Sequence, residues 1–562
     1  MPSTLSYPGV YVEEVPSGVR TLVGVSTSNT AFVDFFPRGP MNEPVRITSF
    51  DEFERVFGGL DTRSEASYAI RQYYLNGGSI AFVVRVATGT PLRSQIALVS
   101  TVDGDPKVVM LVEAVDEGKW GDSLQVAVDH LTAPDPATGV PLTNEFNLAV
   151  REVQTISGRR RVVRSEILRN LSLDKGKARY AVDAVGSESQ LVRLIEQPNP
   201  GVRPDATTTA EVKDVTNPVI VGDPTTGEKS LGSGENHRYV FRSHADTAHA
   251  GGTVNAGDDG DPPDAGALIA GVNTLDQITP EIFNLMCVPR AAELDGAGSE
   301  SPNLRAAIEP ITKYCGDRRA FLIVDIPSTI DTPAKMTDWL TANENIRDRN
   351  AAIYFPRLLV PDPLNENRSR NLGASGTIAG LFAATDARRG VWKAPAGTDV
   401  SLTGATLATK ITDLANGGLN PFAINAIRNF PIFGDVVWGA RTMDGADIQA
   451  SEWKYVPVRR TALFIEESLY QGLKWVVFEP NDDGLWAQIR LNVGAFMHNL
   501  FRLGAFQGNT PSKAYFVKCD ADTTTQTDIN LGVVNVAVGF APLKPAEFVV
   551  IKIQQIAGQI AA

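Results

Sequence analysis

The sequence predicts a multidomain α/β (α+β) protein. Its α/β core is discontinuous, built from N- and C-terminal segments, with mainly-β outer domains inserted and extended arms at both ends. Three observations predict this. Apolar strand-like runs alternate with helical stretches near the start and again through the second half. Between those regions, apolar and polar residues alternate over short stretches punctuated by turn residues. Each end carries a strand-like segment bounded by prolines. A length of 562 residues allows roughly three or four domains.

Taken in order, residues 1–20 form an N-terminal arm in which Gly9 to Val15 is an extended segment isolated by Pro8 and Pro16. The N-terminal part of the core covers 21–90. There Ser49 with Glu52 makes a capping-box signal. Phe53, Val56 and Phe57 share one helical face, and Gly58-Gly59 stops the helix. A second helix runs from about Glu65 to Leu75, and IAFVVRV (Ile80 to Val86) reads as a buried strand. Residues 91–200 form an inserted mainly-β domain, with LQVAV and FNLAV as strands. Residues 201–271, rich in Gly, Asp, Thr and Pro, are expected to be a loop-like outer insertion. The core resumes over 272–541. Its strand candidates are FLIVDIP, AAIYFPRLLV, WVVFEP (Trp475 to Pro480) and AYFVKCD, with helices over Val458 to Gln471 and Leu485 to Leu503. Residues 542–562 are a C-terminal arm.

Composition limits the function classes. Apolar residues make up 43% and charged residues 21%, as in an ordinary globular protein. The net charge of -13 disfavours nucleic acid as the main partner. The opening MPSTLSYPGVYVEEV lacks a basic stretch followed by an apolar one, and no apolar run is long enough to cross a bilayer. Folding in the cytoplasm is therefore expected, without insertion into a membrane. Cys287, Cys315 and Cys519 are too sparse for a disulfide framework or a zinc site and are expected to be reduced and buried.

Catalytic, cofactor and metal signals are weak. NPVIVGDPTTGEKS (Asn217 to Ser230) approaches a phosphate loop, but Glu228 separates Gly227 from Lys229. Asp258, Asp259, Asp261 and Asp264 lack the calcium-loop spacing, and His237, His244 and His249 lack helical ligand spacing. No G-x-S-x-G elbow is present; Ser375 in GASGTIAG reads as a helix start. No catalytic residue, cofactor or metal is assigned, and an enzyme is not expected.

The terminal segments are more informative. In EFVVIKIQQ, Val549, Ile551 and Ile553 share one strand face, opposite Phe548 and Val550. In the N-terminal arm, Val10, Tyr11, Val12 and Val15 are the strand-like residues. Such strands can complete their own sheet or pair on a neighbouring molecule by strand addition.

Motifs along nearly the whole chain, 201–271 excepted, resemble those of contractile tail sheath proteins of phages and related injection systems. They begin with SYPGVYVEEVPSG, ITSFDEFERVFGG and YAIRQYYLNGGSIAFVVRV. GKWGDSLQV follows, with Asp122 where the family usually has Asn. Then come AAIYFPRLLVPDP, AGLFAATDARRGVWKAPAG, VVWGARTM, WKYVPVRRTALFIEESL, FEPNDDGLW and LGVVNVAVGFAPLKPAEFVVIKIQQ. The resemblance implies a structural subunit that forms hexameric rings stacked helically around an inner tube protein. Baseplate and terminal cap proteins would be further partners, and the terminal arms would link neighbouring copies. The assembled sheath would contract to drive the tube through a target envelope. Arg388, Arg389 and Lys393 then become candidate contacts to acids of a neighbour, and Arg490 and Arg502 to the tube, with a solvated turn and core packing as the alternative readings. A lattice or shell protein without contraction is the alternative function.

Overall fold

The computed structural model describes residues 22–552, apart from 103–104, 135–136, 138, 140–141, 157, 197–200, 211–236, 240, 248–253 and 297. The chain divides into two compact units. One comprises the described residues of Met1–Phe32, Ala69–Phe82 and Thr279–Ala562; the other comprises Val33–Tyr68 and Val83–Ile278.

The first unit is built on a largely parallel sheet. Its strands are β1 (Thr30–Asp34), β2 (Ala81–Arg85), β3 (Leu285–Cys287), β4 (Phe321–Val324), β5 (Ala351–Phe355), β6 (Asn425–Phe430) and β7 (Gly434–Val437), in spatial order β2-β1-β3-β4-β5-β6-β7. β1 and β2 each begin in this unit and end in the other. The pairings from β1 through β6 shown by the register are parallel, and β7 closes the sheet antiparallel to β6. Every residue of β3, β4 and β5 is buried, which is why these strands read as continuous apolar runs.

Helices α1 (Pro302–Asp317), α2 (Ser375–Arg389), α3 (Val456–Gly472) and α4 (Asp483–Arg502) belong to this unit. The Asp325 carboxylate accepts hydrogen bonds from the Ser375 amide and hydroxyl, so α2 begins at Ser375 as the sequence predicts. A Cβ at Gly376 would meet the Ala69 carbonyl at 2.2 Å, and one at Gly380 the Tyr73 carbonyl at 2.5 Å. The small residues of SGTIAG thus let α2 lie directly against backbone.

Two strand expectations fail. In AAIYFPRLLV the strand ends before Pro356, and Leu358–Asp362 joins a separate three-stranded sheet. WVVFEP is no strand at all. Lys474–Val476 is a 3-10 turn, after which Val477 and Phe478 are exposed and Phe478 has a φ of 72°. The segment is the connection between α3 and α4, and the apolar run misled because only Trp475 and Val476 pack inward.

The second unit contains helix Phe50–Phe57, capped by Ser49 and stopped at Gly58 as expected. Its four-stranded antiparallel sheet runs Arg242–Ser243, Leu124–Asp129, Glu145–Ile156, Arg159–Ser172. Residues 254–264 are irregular, as expected of a loop, but they are pinned in place. Their backbone bridges Thr88 and Leu92, and Asp259 is buried, accepting from the Lys119 amide at 2.8 Å and from Arg63 at 2.9 Å. Asp264 caps the helix Ala265–Asn273. An aspartate-rich sequence looks solvated until its carboxylates find fixed donors.

The Arg460–Asp386 pair is the most enclosed ion pair of the first unit, with both side chains 3% exposed and contacts of 2.6 and 3.1 Å. Arg460→Met leaves Asp386 buried and unpaired and is expected to cost about 3–5 kcal/mol in urea unfolding. Adding Asp386→Leu is expected to recover a large part of that loss.

Candidate assembly surface

Helix α4 supplies the base of the site. Leu485, Ile489, Val493, Phe496, Met497 and Leu500 form its buried stripe. The opposite side exposes Gln488, Leu491, Ala495, His498, Asn499 and Arg502. Against this unit's core lies the hairpin β8 (Tyr515–Lys518) and β9 (Ala537–Phe540), paired antiparallel from Tyr515↔Phe540 to Lys518↔Ala537. Tyr515 and Val517 pack inward, while Phe516 is 53% exposed. A side chain at Gly539 would meet the Phe516 ring at 2.2 Å, so only glycine fits opposite it. Among the described residues this sheet has two strands, and neither outer edge has a third. Two-stranded sheets are marginal on their own, and open edges accept further strands.

After β9 the chain stays attached for several residues. Ala541 accepts from the Gln507 amide at 2.9 Å, and Pro542 bridges Phe506. The last fixed point is Glu547. Arg441, its side chain 1% exposed, donates from Nε and Nη2 to the two Glu547 oxygens, each at 2.7 Å. Its Nη1 reaches Asp447 and the Asn420 carbonyl, both at 2.9 Å, and the Tyr455 hydroxyl lies 3.3 Å from Glu547. Burial works against the Arg441 charge, but the Glu547 and Asp447 carboxylates more than offset it and hold the guanidinium above its ordinary pKa. A bidentate, charge-assisted pair fixes direction as well as position.

Beyond that clamp, Phe548, Val549, Val550 and Ile551 are 76%, 82%, 79% and 79% exposed, in a segment assigned to neither strand nor helix, so the strand expected from Glu547 is not formed over the described residues. Four consecutive exposed apolar residues mark an interaction segment or an aggregation hazard. Ile553 and the N-terminal Val10, Tyr11, Val12 and Val15 lie outside the described residues, as does the glycine loop at 217–230.

The basic candidates do not form one surface. Arg388 and Arg389 are exposed at the end of α2; Arg388 donates to the Ala384 and Asp399 carbonyls. Lys393 is turned to the Ala394 and Ala396 carbonyls at 2.8 and 3.2 Å. Arg490 is half-buried and donates to the Cys519 carbonyl, so it braces its own subunit, whereas Arg502 is exposed. Cys287, Cys315 and Cys519 are buried free thiols, and burial pushes Cys287 well up. Among the described residues no group of His, Cys, Asp or Glu is arranged to hold a metal, and no helix is long and apolar enough to cross a membrane. Sequence reasoning missed the Arg441–Glu547 clamp: 106 residues separate the partners, and no local spacing signals them.

Glu547→Ala removes the clamp without touching the core. We expect limited proteolysis within 543–548 to speed up about tenfold or more, from loss of charged hydrogen bonds worth roughly 1.5–3 kcal/mol. The global unfolding midpoint should stay unchanged.

Residues 449–556 match the family model of the phage tail sheath C-terminal domain. A putative prophage major tail sheath protein of Pseudomonas aeruginosa (strain UCBPP-PA14) is 26% identical over 236 residues, 41% of this chain and 56% of that protein. The tail sheath protein of Vibrio phage KVP40 is 29% identical over 140 residues, 25% of this chain and 20% of that protein. The chain thus spans 56% or less of the length of these two relatives. Among solved structures, the helical sheath of the anti-feeding prophage in its contracted state superposes with a TM-score of 0.53 at 21% identity, covering 98% of this chain and 100% of that one. A sheath tail protein from Listeria innocua superposes with a TM-score of 0.54 at 12% identity, covering 93% and 96%. The matched range holds the hairpin and Glu547, and the fold is similar to that of solved sheath proteins over nearly the whole chain.

Proposed function

We propose that this protein is the structural subunit of a contractile sheath. It polymerises as stacked hexameric rings around an inner tube and shortens to drive that tube through a target envelope. The observation that carries this reading is the pairing of two incomplete elements in one subunit: an apolar extended segment after Glu547 and a two-stranded hairpin with open edges. Each copy offers a strand and a place for one, and strand addition between copies completes both. The proline-bounded N-terminal arm, with Val10, Tyr11, Val12 and Val15, is the second link. Repeated at every subunit, links of about 4–5 hydrogen bonds each make a multivalent mesh that holds while larger faces slide.

The role is structural, not enzymatic. The partners in this reading are further copies of the chain, an inner tube protein, and baseplate and cap proteins; assembly takes place in the bacterial cytoplasm, within a tail or a particle released by lysis. The tail sheath names of the prophage and phage relatives support the reading. The likeness in fold to the contracted helical sheath of the anti-feeding prophage agrees with it.

Deletion of Phe548–Ala562 tests this. The truncated chain should unfold within about 0.5 kcal/mol of the intact one, because the described part of the removed segment, 548–552, is exposed. Negative-stain microscopy with the tube protein should show long tubes for the intact chain and none for the truncated one. Normal tubes from the truncation reject the linking role, and flat or closed lattices from the intact chain favour a non-contractile shell protein.

A further inference from the structure

The densest run of positive charge in this acidic chain lies in the second unit. RRRVVR, residues 159–164, holds four arginines in six positions, in a protein of net charge -13. Strands Glu145–Ile156 and Arg159–Ser172 form a hairpin that outruns the sheet it belongs to. The neighbouring strand Leu124–Asp129 pairs no farther than Leu124↔Glu152. Past that point Val153↔Val162, Gln154↔Arg161, Thr155↔Arg160 and Ile156↔Arg159 continue as a two-stranded ribbon. The ribbon's tip is exposed, including Arg159, Arg160, Arg161 and Ile156.

The cations at the tip differ from the arginines deeper in the hairpin. Arg164 donates to the Arg55 carbonyl at 2.6 Å and lies 3.9 Å from Glu152. Glu152 is also paired with Arg38 at 3.0 Å, and Glu166 is held by Ser189 and Gln190. Arg159, Arg160 and Arg161 have no hydrogen-bond or ionic partner among the described residues, and the residues across the ladder, Gln154, Thr155 and Ile156, carry no charge. Because strand side chains alternate, Arg159 and Arg161 point to one face and Arg160 to the other. Three adjacent cations repel one another with nothing local to offset them.

We propose that this ribbon is a docking finger for a carboxylate-bearing face of a second copy of the chain. The inference rests on the sheath reading and adds a contact that the terminal arms do not supply. Charge complementarity selects the occupant. Copies of net charge -13 repel one another on approach, and an exposed basic finger gives each an oriented, attractive first contact. Guanidinium groups suit carboxylates through paired N–H donors. The exposed Ile156 and Val163, 43% and 39% accessible, add apolar contact beside the charges.

The test uses the full-length chain with Arg159→Glu, Arg160→Glu and Arg161→Glu combined, and a triple Lys variant as control. Charged residues on an edge strand can serve only to block unwanted pairing, and glutamates would do that equally well. Charge reversal therefore separates docking from blocking. Self-association is followed by light scattering and electron microscopy from 50 to 500 mM NaCl, on the order of the range where screening becomes strong. At low salt the Glu variant should start at least about tenfold slower than the wild-type and Lys chains. Because salt also screens the general repulsion between acidic copies, that gap, and not the absolute rate, should close as salt rises. Wild-type rate and salt dependence in the Glu variant would overturn the proposal. So would capture of heparin or anionic vesicles by the wild type, if reversal leaves self-association unchanged. Removing Phe548–Ala562 gives an independent readout: failure of the arm reading leaves tube length intact, whereas failure of the finger leaves the salt dependence intact. If the wild-type chain does not self-associate at any of these salts, both readings fall.

Discussion

The reading of this protein depends on four exposed apolar residues that follow a fixed point and are assigned to no sheet. Phe548 to Ile551 would place two large apolar residues on each face of any sheet they joined, and burying such a side chain stabilises by roughly 1.5–3 kcal/mol. Among the described residues that gain is not realised. The chain is pinned at Glu547, and the segment beyond it is exposed. An exposed apolar segment that starts at a carboxylate held by a buried arginine is what the proposed strand addition needs.

The position of the pin matters for how such a link would bend. The prolines at 542 and 545 suggest that a loose linker starts there. Instead the chain is bonded at Ala541, Pro542 and Glu547, so the free part of the arm begins after the clamp. In the proposed sheath, movement between neighbours then falls on the few residues between the clamp and the accepting edge. The body of the first unit, braced by Arg460–Asp386 and the Asp325 cap of α2, can move as one piece.

Much of the fold was legible because it follows short-range rules. Ser49 and Gly58 bracket a helix, Ser375 opens one, and buried parallel strands appear as unbroken apolar runs. The failures share a cause. WVVFEP looked like a strand because the composition of a short apolar run does not say whether a neighbouring strand exists to pair with it. Asp258, Asp261 and Asp264 are exposed, but the burial of Asp259 could not be read, because its partners Arg63 and Lys119 lie far away in sequence. The apolar segment after Glu547 could be picked out from its composition, whereas the clamp before it could not, since Arg441 lies 106 residues upstream.

Amide hydrogen exchange of the assembled protein, compared with the dispersed chain, tests the central claim most directly. If the C-terminal strand of one copy completes the hairpin of another, amides of residues 548–552 and at one outer edge of the hairpin Tyr515–Lys518/Ala537–Phe540 should exchange freely when dispersed. On assembly they should become protected together. Protection already complete in the dispersed chain, or free exchange at 548–552 within intact tubes, would contradict it.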